Sequence, residues 1–273
     1  MSQRARTWLL NGLLMLLALL TLFPLLWMAS VALMPTGASS SYPPPLLPAR
    51  PTFMHFHQLF AQQHMGRYFL NSLIVATSAT LLALLFSAMA GYAFAKLRFR
   101  GRDTIYAVLL AGLLVPAQVT MIPLFGLLKV MGLVNSYAAA VLPSAASVFG
   151  IFLVRQYALS IPEDLLDAAR IDGASEWRIF RLVVLPLLVP ILVTLGIFVF
   201  LATWNDFMWP LIVLTDRDMQ TLPVALAGMA REHFQDNELM MAGSVVTVLP
   251  VLLLFLILQR FYMRGILLGS IKG

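Results

Sequence analysis

The chain has 273 residues, 60% of them hydrophobic and 11% charged, with a formal net charge of +6 and a mean hydropathy of +0.88. Soluble domains carry roughly 25% charged residues, so this composition leaves too little polar surface for a water-soluble globule and excludes both a cytosolic enzyme and a disordered segment. With no cysteine in the chain, disulfides, thiolate metal sites and cysteine nucleophiles are excluded as well, and no metal site is expected.

A membrane-crossing helix needs about 20 consecutive, mostly apolar residues. The charged residues leave six stretches of that length, at 7–34, 68–95, 104–128, 130–155 (counting up to Arg155), 182–205 and 239–259. They predict spans at approximately 8–34, 69–95, 104–128, 136–155, 182–205 and 239–260. All 12 acidic residues and all 4 histidines (His55, His57, His64 and His233) lie outside those stretches, as a cost of about 2.5–3.5 kcal/mol per charge at a helix centre demands. Transmembrane β-strands run about ten residues with alternating polarity, which these stretches do not show. The predicted fold is therefore a single all-α integral membrane domain of six transmembrane helices.

In chain order, the first connection (35–67) opens with Pro43, Pro44, Pro45, Pro48 and Pro51, and reads as an ordered cap with a short helix near 54–63. The second holds Lys96, Arg98, Arg100 and Arg102, the third is a short turn near 129–137, and the fifth (206–238) carries most of the remaining acidic residues. Lysine and arginine accumulate in cytoplasmic loops. Arg4, Arg6, the 96–102 group, Arg155, Arg170, Arg178, Arg181, Arg260, Arg264 and Lys272 fall on one side of a six-span chain, whereas only Arg50, Arg67, Lys129, Arg217 and Arg231 fall on the other. Both termini are accordingly expected in the cytoplasm. The 96–102 segment reads as an anchor on anionic membrane lipid rather than as a nucleic-acid site. A cleaved leader would leave five spans and put one basic end on the wrong side.

The fourth connection carries its own folding signals. Ser160 and Glu163 fit a capping box with Pro162 in the first helical turn, Gly173 can take the positive φ that ends the helix, and Ser175 can cap a second helix running through Trp177 and Phe180 toward Pro186. The expectation is a cytoplasmic helix-turn-helix over 160–181 between the fourth and fifth spans. Leu165, Leu166, Ile171, Trp177, Ile179 and Phe180 give it more apolar surface than a solvated connector needs, and Ala168, Ala169, Gly173 and Ala174 permit close approach by another protein. A linker that packs only on its own bundle is the plain alternative.

Asp167-Ala168-Ala169, Asp172-Gly173-Ala174 and Val183-Val184-Leu185-Pro186 resemble the EAA loop of ABC importer permeases. The layout of six spans, the Trp204-Asn205-Asp206 and Thr221-Leu222-Pro223 region and the ending 259–273 are similar to the smaller permease of the carbohydrate-uptake class, the maltose MalG type. Asp167 stands where that family usually has glutamate. The resemblance implies a coupling helix, with Glu163, Asp167, Ala168, Ala169, Asp172, Gly173, Ala174 and Trp177 facing a cleft on a cytoplasmic ATPase subunit. It implies as partners a second permease, two copies of that ATPase and an extracytoplasmic solute-binding protein, in a bacterial inner membrane. It also implies that the tail 265–273, with Gly265, Gly269, Lys272 and Gly273, reaches the interface of the two ATPase subunits. Glycine at every fourth position weakens a helix, and the tail is expected to be extended.

No GxxxxGK[ST] pattern occurs in the chain, so ATP hydrolysis is expected of a separate subunit. No cofactor is expected on this chain, ATP and Mg being held by that partner, and no residue is assigned a catalytic role. Gln118, Trp204, Asn205 and Phe207 are candidates for a sugar path, Trp204 or Phe207 by stacking on a pyranose. The cargo class is a sugar or related polyol, with glycerol phosphate inside the same class. Two readings from other classes compete: an ion-coupled secondary transporter, which commonly needs intramembrane carboxylates or histidines, and a non-transporting assembly protein, which needs no EAA-like loop.

Overall fold

A computed structural model describes residues 3–232 and 236–270. All of its regular elements are helical, with no strand among the described residues. Five helical segments there are long and apolar enough to cross a membrane: Arg6–Ala32, Met65–Lys96, Tyr137–Ala158, Glu176–Trp204 and Asn237–Ile257. A sixth candidate is a broken pair, Arg102–Leu114 and Ala117–Val130, bent by 106°.

The chain divides into two compact units. The first comprises Met1–Arg67 and Ala225–Leu252. Helix α1 (Gln3–Ala32) leads into a short 3-10 turn at Ala38–Ser40, the proline-rich segment and α2 (Met54–Ala61), which matches the ordered cap expected of 35–67. Polar contacts fix this cap. Ser30 Oγ donates to Leu46 O at 2.6 Å, Ser39 N donates to Glu238 Oε1 at 2.8 Å, and the His55 ring lies 3.0 Å from Met34 O through Nε2.

The second unit comprises Tyr68–Val224 and Leu253–Gly273 and contains most of α3 (Met65–Lys96). It continues with α4 (Arg102–Ala111), α5 (Ala117–Val130), α6 (Tyr137–Ala145), α7 (Val148–Ala158), α8 (Glu163–Ile171) and α9 (Glu176–Ile179). Next come α10 (Leu185–Trp204), α11 (Met208–Val213) and the start of α12 (Leu222–Glu232).

The third predicted span, 104–128, is not one helix. Pro116 has no N–H to continue α4 and disfavours helical backbone at the residue before it, and Val115 is accordingly extended at φ −84°, ψ 119°. The fourth span also changes course, at Ser147, whose side chain accepts from Gly150 N at 3.0 Å and so begins α7 afresh.

Among the helices that make up the candidate spans, α3 differs in running 32 residues with no proline. Proline lies inside α1 (Pro24), α5 (Pro123), α6 (Pro143), α10 (Pro190) and α13 (Pro250; Asn237–Ser270). Helix α3 packs closely on α7 through small residues, as membrane helices do when van der Waals contact must hold them together. A Cβ on Gly91 would sit 2.7 Å from Val154 Cγ1 and 3.0 Å from Arg155 N, and one on Gly150 would meet Ser87 and Leu195.

Near its N-terminal end α3 holds a distant loop by hydrogen bonds. Asn71, fully buried, donates through Nδ2 to Asp218 O and Gln220 O, each at 2.8 Å, and accepts at Oδ1 from Tyr137 Oη at 2.7 Å. The neighbouring Ser72 Oγ accepts from Leu222 N at 2.7 Å. The same loop is clasped to the turn after α5, where Asn135 Nδ2 donates to Asp216 Oδ2 at 2.6 Å and Asp216 N donates back to Asn135 Oδ1 at 3.0 Å.

Helix α13 runs on through Ser270, so Gly265 and Gly269 lie in a helix and not in the extended tail expected for them. Each glycine costs a helix roughly 1 kcal/mol, but Ile266, Leu267 and Leu268 are adequate helix formers and no proline interrupts them. Lys272 and Gly273 lie outside the described residues.

Candidate coupling site

The 160–181 segment folds as the helix-turn-helix its sequence signals, with one change at its start. The residue preceding α8 in capping position is Pro162, at φ −61°, ψ 136°, with no side-chain cap. The Ser160–Glu163 capping box does not form, because Ser160 Oγ donates back to Tyr157 O at 2.7 Å and Glu163 is engaged elsewhere. Glu163 and Asp164 occupy the first turn and Arg170 the last, which suits the helix dipole.

The turn closes as a Schellman motif. Gly173 takes φ +78°, Gly173 N donates to Arg170 O and Ala174 N donates to Ala169 O, both at 3.0 Å, so two carbonyls orphaned at the helix end are satisfied. Ser175 then opens α9 in extended backbone without a side-chain bond. Between α9 and α10 lies a π-helical turn, Phe180–Val184. Leu185 N donates to Phe180 O there, and this widening precedes Pro186, whose ring nitrogen cannot donate to the usual acceptor.

The element has two unlike faces. Leu166 and Ile179 are fully buried in a cluster with Ala88, Tyr92 and Ala95 of α3, Val154 and Ala158 of α7, and Val184, Leu188 and Leu195 beyond the loop. The opposite face leaves Leu165, Ile171 (86% exposed) and Trp177 (59% exposed) uncovered. Of the residues singled out in the sequence, Glu163, Asp167, Ala168, Asp172, Gly173 and Trp177 are exposed, and Ala169 and Ala174 half-buried. A Cβ on Gly173 would meet nothing within 4 Å, so within the chain its requirement is conformational and not steric.

Charged side chains brace the element. The Arg170 guanidinium donates to Glu176 Oε1 at 2.8 Å through Nε and to Asp167 Oδ1 at 2.7 Å through Nη1, tying α8 to α9. These two carboxylates, Glu176 first, raise the Arg170 pKa further above its ordinary value. Glu176 Oε2 also accepts from Tyr92 Oη at 2.8 Å. One helical turn further along α3, Lys96 Nζ donates to Glu163 Oε1 at 2.8 Å and to Ile161 O at 2.6 Å. The Lys96 side chain is 4% exposed, against 57% for Glu163. A groove of about 250 Å³ lies beside this brace, lined by Met89, Tyr92, Leu97, Trp177 and Phe180 among others.

Tyr92 and Lys96 were not among the site residues expected from sequence. Their spacing of four places them on one face of a helix, but a tyrosine and a lysine near the end of a span read equally well as interfacial anchors.

The candidates for a substrate path sit in different surroundings. Gln118 is exposed in the first turn of α5, beyond the bend. Trp204 is only 1% exposed, with Phe200 stacked on it at 5.6 Å and Phe69 edge-on at 5.7 Å. Its ring is thus part of the core and not a free platform for a sugar. Asn205 Nδ2 donates to Leu201 O at 2.8 Å and finishes α10, while Phe207 is partly exposed.

The sequence profile of the family described as "Binding-protein-dependent transport system inner membrane component" matches residues 83–267, a stretch that includes the whole two-faced loop. The chain belongs to that family. It is a multi-pass inner-membrane permease subunit of an ABC importer, a class in which ATP is hydrolysed by separate subunits. It is similar to the arabinooligosaccharides transport system permease protein AraQ of Halalkalibacterium halodurans, 37% identical over 98% of this chain and 97% of that one. It is also similar to the lactose transport system permease protein LacG of Rhizobium radiobacter, 36% identical over 93% and 92%. Among solved structures, a chain of a bacterial ABC transporter involved in the import of the acidic polysaccharide alginate shares the fold, with a TM-score of 0.84 and 23% identity over 96% of this chain and 99% of that one.

Proposed function

We propose that this permease forms half of the membrane pathway for an oligosaccharide or related polyol, and that its two-faced loop is the part an ATPase subunit grips. The observation that carries the reading is the split of α8, with Leu166 fully buried against the bundle and Ile171 86% exposed on the other side. Exposed apolar side chains on a braced element, with Ala168, Ala169 and Gly173 close by, make a surface that another protein can approach closely. The sugar class follows from the relatives, one associated with arabinooligosaccharides and another with lactose.

The membrane arrangement proposed with it has six crossings, the bent pair α4 and α5 together forming the third, and places both termini, the 96–102 loop and the 160–181 loop in the cytoplasm. The Lys and Arg asymmetry supports this orientation. A second permease, two ATPase subunits holding ATP and Mg, and an extracytoplasmic binding protein complete the machine. Gly265, Gly269, Lys272 and Gly273 reach the ATPase pair, and Gln118, Asn205 and Phe207 border the sugar path.

Purification in mild detergent is expected to bring down an ATPase and a second permease. The reconstituted complex, given a panel of arabinotriose, lactose, raffinose, maltotriose and glycerol 3-phosphate with its binding protein, is expected to take up a sugar and to hydrolyse ATP faster in its presence. Ala169→Arg is expected to abolish ATPase association while leaving membrane abundance unchanged, since it places an unpaired charge in a close contact. Association and uptake at the unsubstituted level in that variant would rule the loop out as the docking element.

A further inference from the structure

Helix α3 is held at both ends by loops that lie far away in sequence. Near its N-terminal end, Asn71 and Ser72 hold Asp218, Gln220 and Leu222 of the 206–224 segment. Near its C-terminal end, Tyr92 and Lys96 hold Glu176, Glu163 and Ile161 of the helix-turn-helix. Ser72 and Tyr92 are 20 residues apart, about 30 Å along an α-helix. No proline interrupts the helix between them.

The two loops are also joined covalently through α10, but the backbone hydrogen-bond ladder of that route is interrupted. It begins with the π turn Phe180–Val184, carries Pro186 in its first turn and contains Pro190, and such features are the usual sites of helix bending. A force on one loop is carried more stiffly by a helix with a complete backbone ladder, whose ends are held by hydrogen bonds, than by one whose ladder is interrupted at a π turn and two prolines.

We infer that α3 is the strut through which the two loops sense each other, with Ser72, Asn71, Tyr92 and Lys96 as its positioning residues. Under the importer reading above, on which this inference rests, the 206–224 segment lies on the extracytoplasmic side, and the strut passes changes there that accompany docking of the loaded binding protein to the ATPase at the coupling loop. None of these side chains touches ATP, and none is required to touch the sugar. Their role is to keep α3 in register with both loops at once.

The test is a double-mutant cycle on the complete complex, with Ser72→Ala and Tyr92→Phe. Each removes one hydroxyl and leaves the packing nearly unchanged. The quantity read is the ratio of ATPase activity with loaded binding protein to activity without it, the probe being whichever sugar of the panel above stimulates the unsubstituted complex most. Melting temperature is recorded on the same preparations, because a merely structural role lowers that temperature without changing the ratio. One lost hydrogen bond is worth about a fivefold change. Each single variant is therefore expected to lower the ratio about fivefold, and the double variant by well short of the roughly 25-fold product, because two joints on one strut act in series and the looser one already limits what passes. Residues 30 Å apart without shared contacts otherwise act independently. A double variant near the product of the two, about 25-fold, overturns the strut, as does an unchanged ratio in either single variant, whatever its melting temperature. Absence of stimulation in the unsubstituted complex removes the importer reading itself, and the strut with it.

Discussion

The two ends of α3 do the same job with different chemistry. At the N-terminal end Asn71 and Ser72 are neutral and buried, and they satisfy the backbone of a folded-back loop directly. At the C-terminal end Lys96, Glu163, Arg170 and Glu176 are charged, and each of their ion pairs keeps at least one carboxylate substantially exposed. A buried neutral network is costly to break because every orphaned group loses its partner and gains no water. Ion pairs with exposed members are cheaper to break and respond to salt.

The largest effect is expected from Asn71→Leu, which strips two backbone carbonyls and the Tyr137 hydroxyl of their partner. It is expected to lower stability by about 2–4 kcal/mol, read as a drop in melting temperature of the purified chain. A smaller loss than for any substitution at the charged end would reverse the contrast. Next comes Gly91→Ala, where the added methyl cannot be accommodated without moving α3 off α7 at Val154 and the Arg155 backbone. A cost of about 1–3 kcal/mol is expected, and an unchanged melting temperature would mean that the two helices have slack there.

Gly173→Ala sharpens the comparison by acting on the loop alone. Holding a non-glycine residue at φ +78° costs about 1–2 kcal/mol, and hydrogen exchange is expected to quicken at the Gly173 and Ala174 amides while the Leu222 amide, held by Ser72 at the other end of α3, stays protected. Unchanged exchange at the Gly173 and Ala174 amides would show that the turn does not depend on glycine. The smallest effect belongs to Glu163→Gln, below about 1 kcal/mol because the carboxylate is largely exposed. Raising ionic strength to about 1 M, where the screening length falls to about 3 Å, should shrink that effect further and leave the Asn71→Leu effect unaltered.

Much of the coupling element was legible in the sequence because its signals are local. Gly173 at the end of an apolar-patterned helix and the Asp167-Ala168-Ala169 spacing act over a few residues, so nearby chain is enough to read them, whereas Ser175 stands at the start of α9 without the capping bond expected of it. The Ser160 capping box failed for the opposite reason. Glu163, which was to reach back to the helix start, finds Lys96, 67 residues away, and local patterning contains no trace of that competitor. Trp204 failed similarly, since an aromatic near a span end is compatible with a sugar platform, an interfacial anchor or a core residue, and only the positions of Phe69 and Phe200 choose among them.

By itself the amino-acid order determined the solvent and the class of element. Long uncharged stretches must bury their backbone polar groups in helices once water is gone, and glycine or proline at particular points sets where those helices stop. The tertiary structure alone decided that Pro116 bends a candidate span by 106°, where other helices carry internal proline unbroken. It also decided that Asn71 reaches carbonyls 147 and 149 residues away and that Tyr92 and Lys96 brace a loop instead of facing lipid. Each of these depends on which distant segment fills the space beside a residue, and the free energy of such a choice is shared over the whole packed arrangement and not carried by any short stretch of chain.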